Sequence, residues 1–215
     1  MRTGTIRASV CLLVVLTLVL SLCDAGKKKR WKPQPKPKKP DEKPVEEMLP
    51  ARYIDINQMS GKWYLLTVAS RCPYLLEHGY KAEGTIMTLT APASPGGPVK
   101  MNTLTKHNFQ CWEIQQDYET TNMTGIFLLK SRIPVKNTDV LVVDTDYSSY
   151  TVLLYKRMKN ITMKLYGRST RVSDAVVDKF EDLATKQNLG LDVIFEFPVY
   201  GFCPSADKEH TLVMT

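Results

Sequence analysis

GKWYLLTVAS, Gly61 to Ser70, is the stretch on which the reading of this chain turns. A glycine, one further residue and a tryptophan open the first apolar run able to form a strand. Gly61 lets the backbone bend or approach a neighbour closely. Trp63 is a large apolar plug whose indole N–H needs a partner once buried. Upstream, the chain reads as an export signal and a loose tail. Downstream, it reads as strands, hairpins and one helix.

The upstream part has two pieces. Residues 1–25 combine Arg2 and Arg7, the apolar run Val10 to Leu20, and small residues at Cys23 and Ala25. That is the pattern of a secretory signal peptide cleaved after Ala25, and the run is short of the roughly 20 residues a membrane span needs. Residues 26–50 hold six prolines, nine Lys or Arg and four Asp or Glu. Such a composition buries no core and favours extended conformations. It is either a solvated linker or a basic arm for an acidic partner or membrane surface, with Trp31 alone among the lysines. The formal net charge of +7 belongs mostly to this tail. The remaining domain, 51–215, is close to neutral, which argues against a nucleic-acid partner. Signal cleavage also removes Cys11 and Cys23 and leaves Cys72, Cys111 and Cys203. An odd count in an oxidising compartment implies one intrachain bridge and one thiol left over.

Outward from Gly61 the pattern is short β runs separated by turn signals. Strands are expected near 62–70, 81–90, 99–107, 109–118, 124–131, 139–145, 149–157 and 161–168, after a helical turn within 53–60. Eight strands joined mainly by short connections favour an antiparallel up-and-down β-barrel, which closes on itself and removes its edges. Then the period changes. Ser173 fits a helix N-cap, and Val176, Val177, Phe180, Leu183 and Ala184 form one apolar stripe that packs a helix outside the barrel. Gly190 fits its C-terminal stop. A short strand, 193–197, follows, and 198–215 is expected to run over the surface.

Gly61-Lys62-Trp63, Thr145-Asp146-Tyr147 and Arg168 before a terminal helix together resemble the three-part signature of the lipocalins, over about residues 53–205. The resemblance implies that Trp63 plugs the closed end of an eight-stranded barrel, that Arg168 stacks across it, and that the Thr-Asp-Tyr turn joins the sixth and seventh strands there. It also implies a bridge between Cys111 and Cys203. The stretches VVDTDYSSYTVLLY, MKLYGRSTRVSDAVVDKFE and IFEFPVYGFC resemble a complement-associated branch of the family. That branch implies a secreted, non-enzymatic subunit in blood plasma, disulfide-linked through Cys72 to the alpha chain of a complement component. Through it the subunit meets the beta chain and the other terminal complement proteins of the membrane attack complex. A second, microglobulin-like branch shares the GKWY-like start and the cysteine after the first strand. It implies a free lipocalin binding or scavenging a small hydrophobic ligand, with a reactive Cys72. An inert or capped Cys72 is the third reading. In each case Cys72, following the first strand, is expected at the open end.

Alternation from Trp63 places Leu65, Thr67 and Ala69 inside the calyx. Tyr118 and Tyr166 are expected to line or gate its lower part, or to be ordinary barrel filling, and Lys164 gives a wetter upper lining. Barrels of this size hold one small ligand or a peptide segment. Asn122 and Asn160 begin glycosylation sequons near hairpin turns. Catalytic and metal motifs are poor: His78, His107 and His210 are scattered, and Asp144 and Asp146 suit backbone hydrogen bonding in a turn better than acid–base chemistry. The sequence offers no cofactor signature.

Overall fold

The computed structural model describes residues 48–214 apart from Arg52. The expected signal peptide, and the basic tail as far as residue 47 with its Trp31, lie outside the described residues. Eight strands form the body: β1 (Gly61–Ser70), β2 (Ile86–Thr90), β3 (Val99–His107), β4 (Gln110–Thr120), β5 (Ile126–Leu129), β6 (Thr138–Thr145), β7 (Tyr150–Arg157) and β8 (Asn160–Gly167). Each pairs antiparallel with the next, β8 returns to β1, and β4–β5 pairing completes the ring. This is the expected closed, eight-stranded antiparallel barrel. One apolar cluster fills its interior, including Trp63, Leu65, Val68, Met87, Tyr118, Tyr155 and Tyr166. A second lies outside, under the helix α3 (Asp174–Lys186), around Phe180 and Ala184.

The closed end is built by Trp63 and Arg168. The short helix α1 (Ile56–Met59) enters beneath the barrel, and Trp63, fully buried, donates its indole N–H to the Met59 carbonyl at 2.8 Å. The Arg168 guanidinium carbon lies 3.7 Å from the Trp63 ring centroid. Its nitrogens donate to the carbonyls of Gln58 (2.8 Å), Tyr147 (3.0 Å) and Lys62 (3.2 Å). Gly61 adopts a φ of +107°, and a Cβ there would stand 3.1 Å from Arg168 Nη1, so glycine serves both the backbone and the space. In the adjoining turn, Asp146 Oδ1 accepts from the backbone N–H of Ser148, Ser149 and Tyr150. Partial burial pushes the Asp146 carboxyl up, but these bonds and that from the Ser149 hydroxyl outweigh it and hold it below the usual range. Thr145 Oγ1 donates to the Tyr150 carbonyl and accepts from Tyr147 N–H.

Several expectations change. The second strand begins at Ile86 rather than near 81. Pro73 occupies the first turn of a further helix, α2 (Pro73–His78), which a turn of 3₁₀ helix extends through Lys81. Ser173 stands at the N-cap of α3, but its side chain makes no capping bond. Gly190 does not stop that helix. Asn188 takes the left-handed position, φ +57°, while Gly190 sits at −73°. The short strand after the helix, β9 (Ile194–Glu196), pairs with β1. The C-terminal segment is more than a surface run: β10 (Thr211–Met214) pairs parallel with Glu113 to Gln116 of β4. A Cys111–Cys203 disulfide, 92 residues apart in sequence, brings this segment to β4. Backbone bonds from Asp207 to Cys111 (2.9 Å) and from Glu113 to His210 (2.9 Å) seat it, as does stacking of His210 on Trp112 at 4.1 Å.

Parity along β1 also changes. The β1–β8 register runs from Leu65 opposite Tyr166 to Thr67 opposite Leu165, so Leu66 is an extra, bulged residue. A one-residue bulge exchanges inside and outside for everything beyond it. Thr67 and Ala69, expected in the calyx, therefore do not line it. Ala69 is buried outside, in the cluster beneath α3, and Thr67 pairs with Glu196 of β9. Val68 and Ser70 take the inward positions.

Two outcomes follow for stability. Arg168→Lys keeps the charge but loses the fork that reaches three carbonyls, and is expected to lower unfolding free energy by about 1–3 kcal/mol in urea titrations. Lys179 of α3 contacts Asp144 on β6 and donates to Tyr150 Oη at 3.1 Å, pinning the helix to the barrel. The Asp144 and Tyr150 contacts raise its pKa above 10.5. That contribution is complete below pH 10.5 and is lost as pH rises through the raised folded value. Lys179→Met should cost less than about 1 kcal/mol at pH 7, since the side chain is half exposed, and should show a shallower loss of stability above pH 10.

Candidate functional site

β1 runs from the closed end to the open end and delivers Ser70, Arg71 and Cys72 to the rim. The hairpin at 108–109, the 130–137 connection and the turn at 158–159 share that rim by register. Inside it is a cavity of about 250 Å³. Leu65, Val68, Ile114, Leu129 and Tyr118 supply an apolar wall, and Tyr155 and Lys164 lie on it. Towards the mouth the lining becomes polar, with Thr85 and Thr105 hydroxyls 2.9 Å apart and those of Ser70 and Thr162 2.8 Å apart. Lys81, Glu83, Lys106 and His107 add charge or titratable groups. Partial burial pushes the His107 imidazole below its ordinary value.

The helix α2 leans over this mouth. Leu75 is buried in the interior cluster, and Tyr74 stacks on His78 at 4.8 Å. Gly79 allows the close fit at its end, because a Cβ there would meet the Phe195 ring at 2.6 Å. Arg71 donates through Nη2 (2.9 Å) and Nε (3.2 Å) to the Asn188 carbonyl and reaches Asp192. Cys72 stands at the N-cap of α2, only 3 % exposed, and borders the cavity. It is therefore at the mouth, as the position after the first strand suggests, but covered rather than presented to solvent.

Two tyrosines singled out by sequence part company. Tyr118 lines the cavity. Tyr166 packs in the core and is not on the cavity wall. Tyr155 on β7, which nothing in the apolar run YTVLLY marks out, takes the place beside Tyr118. Burial, and then the neighbouring Tyr155, pushes the Tyr118 and Tyr166 phenols well above their ordinary value, and burial raises Tyr155 as well. All three stay neutral near pH 7. Lys164, two residues nearer the mouth than Tyr166, holds its ammonium 4.6 Å from the Tyr155 ring centroid. Burial lowers its pKa to about 8. Among the described residues it makes no ion pair.

The sequons are both exposed: Asn122 in the closed-end β4–β5 turn, Asn160 at the open-end start of β8. Among the described residues, no cluster of His, Cys, Asp and Glu could hold a metal ion. No described helix is long and apolar enough to cross a membrane.

Comparison with known proteins agrees with this geometry. The model of the lipocalin / cytosolic fatty-acid binding protein family matches residues 60–200. The chain is similar to complement component C8 gamma chain of Oryctolagus cuniculus, 36% identical over 197 residues, covering 91% of this chain and 94% of that one. It is 30% identical to Protein AMBP of Mus musculus over 159 residues, covering 71% of this chain but 45% of the relative, so it spans about half the length of that protein. Among solved structures, the siderocalin Ex-FABP superposes with a TM-score of 0.59 at 23% identity over 67% of this chain and 96% of that one, a likeness of fold. A closed eight-stranded barrel, Trp63 sealed by Arg168, an outer C-terminal helix and a family match over most of the described chain lead to one conclusion: this protein belongs to the lipocalin family.

Proposed function

We propose that the chain is a secreted, non-enzymatic lipocalin subunit of a complement component of the C8 type. In this reading residues 1–25 direct export and 26–50 form a basic tail ahead of the lipocalin domain, 51–215. Cys72 forms an interchain disulfide to the alpha chain. Through it the subunit accompanies the beta chain and the other terminal complement proteins into the membrane attack complex at target membranes. The single observation that carries this is the likeness to the rabbit C8 gamma chain across nearly the full length of both chains. Structural features support it. The Cys111–Cys203 bond leaves Cys72 at the open rim. The connections around that rim carry exposed apolar side chains, among them Phe109 (97 % exposed), Ile133, Val135 and Met158, an arrangement that suits a protein contact. The mouth would receive a segment of the alpha chain beside the bridge. A glycan on Asn160 would border this contact, whereas one on Asn122 would sit at the far end.

One observation favours a second reading. Cys72 is buried and borders the cavity, and relatives named Protein AMBP match as well. A free lipocalin carrying or scavenging a small hydrophobe, with a reactive Cys72, would use the same calyx.

Non-reducing electrophoresis of the native protein separates the readings. A heterodimer released by reductant is expected, and Cys72→Ser should abolish it while leaving the fold intact and its melt cooperative. A native monomer with a titratable thiol would sink the subunit reading. A second expectation concerns access. With Leu75 holding α2 over Cys72, a bulky thiol reagent should label the isolated chain slowly, and Leu75→Ala should raise that rate at least about tenfold by loosening the helix. Equal rates in the two proteins would mean that α2 does not guard the sulfur.

A further inference from the structure

The calyx contains one group that the subunit reading does not use. Lys164 projects from β8 into an otherwise largely apolar wall, beside Leu65, Val68 and Tyr118. Its ammonium faces a tyrosine ring, and although Glu83, Lys81, Lys106 and His107 line the same cavity towards the mouth, it makes no ion pair among the described residues. A lysine placed this way is costly as a structural element, because burial disfavours its charged form and no ion pair among the described residues offsets the penalty. Lysines in dry pockets gain a chemistry that exposed lysines have weakly: the neutral amine is a nucleophile towards carbonyl carbon.

We propose that the calyx takes an apolar aldehyde and holds it as an imine on Lys164 Nζ, a covalent and reversible mode of ligand capture. The inference rests on the calyx being a ligand site and is independent of any bridge through Cys72. The Nζ lone pair attacks the aldehyde carbon. The carbon–oxygen double bond is replaced by a carbon–nitrogen double bond, and the oxygen leaves as one water with the two amine hydrogens. No electrons are exchanged with a third species, and hydrolysis reverses the step. The cavity favours both stages. At pH 7.4 about a fifth of Lys164 is neutral given its value of about 8, against about a thousandth for an ordinary lysine. Once formed, a protonated imine keeps the Tyr155 face as a cation–π partner. The apolar wall at Leu65, Val68, Ile114 and Leu129 receives the hydrocarbon part and limits water near the new bond.

The test is borohydride trapping on the full chain. Cinnamaldehyde at substoichiometric concentration is added at pH 7.4, reduced with borohydride, and the secondary amine is mapped by peptide mass spectrometry. Lys164 should carry at least about ten times the label of the exposed Lys100, Lys156 or Lys159, and its labelling should titrate with a midpoint near pH 8 while theirs keeps rising beyond pH 10. Lys164→Arg, which keeps the charge but forms no imine, should abolish the preferred label. Should that variant fail to fold, cinnamyl alcohol in excess serves instead: it fills the cavity without a carbonyl and should protect Lys164 in the unaltered protein. Label spread evenly over exposed lysines, or Lys164 labelling indifferent to the alcohol, overturns the proposal. If the alcohol binds by intrinsic fluorescence but the aldehyde does not label Lys164, the calyx is a ligand site and the imine is wrong. If neither binds, the ligand-site reading falls with it.

Discussion

The Arg168 guanidinium over the face of Trp63 is the contact on which the barrel depends. A flat cation meets a flat ring, and the fork that remains in plane satisfies carbonyls from the α1 segment, the start of β1 and the β6–β7 turn. Three separate parts of the chain are tied to the end of β8 by one side chain. An ammonium could supply the charge but not this planar, multidirectional hydrogen bonding. Because the bottom is closed by packing and not by a loop, the other end is left open, and the cavity, Cys72 and the exposed apolar tips all collect there.

The opposite constraint lies in the middle of β1. The bulge at Leu66 lets a single strand serve two cores. Below it Trp63 and Leu65 fill the barrel. Above it Ala69 turns outward under Phe180 and Ala184, while Val68 and Ser70 take over the lining. Without the bulge the small Ala69 would face the cavity, and the helix would meet Val68 and Ser70. The outer helix and the calyx are thus adjusted to one another through one unpaired residue.

These two features also mark what the sequence could and could not reveal. Strand order, barrel closure and the outer helix follow from apolar periodicity and turn chemistry, and the closed end follows from three motifs that converge in space. The lining did not follow, because strict alternation assumes an unbroken ladder and the run LLTVAS contains no glycine or proline to signal a bulge. Tyr155 was invisible for a related reason. Every position from Tyr150 to Tyr155 is buried, since β7 is covered on both faces, so alternation carries no information there. β10 was missed because its four residues owe their strand to a tether, the Cys111–Cys203 bond, and to an open stretch of β4, not to local propensity. Lys164 was legible as a polar interruption, but its lack of an ion pair among the described residues is a property of the assembled wall.

The tether has a consequence for how the chain matures. Cys72 lies closer to Cys111 along the sequence than Cys203 does, 39 residues against 92. In an oxidising compartment, loop closure alone favours the shorter, wrong pairing by about 0.8 kcal/mol, roughly a factor of four. The native pairing needs a bias of opposite sign, and the folded chain contains one: with Leu75 in the core, α2 leaves Cys72 only 3 % exposed, while β10 holds the C-terminal segment along β4. Any step that covered Cys72 before the C-terminal segment reached β4 would favour the native bridge over the shorter one.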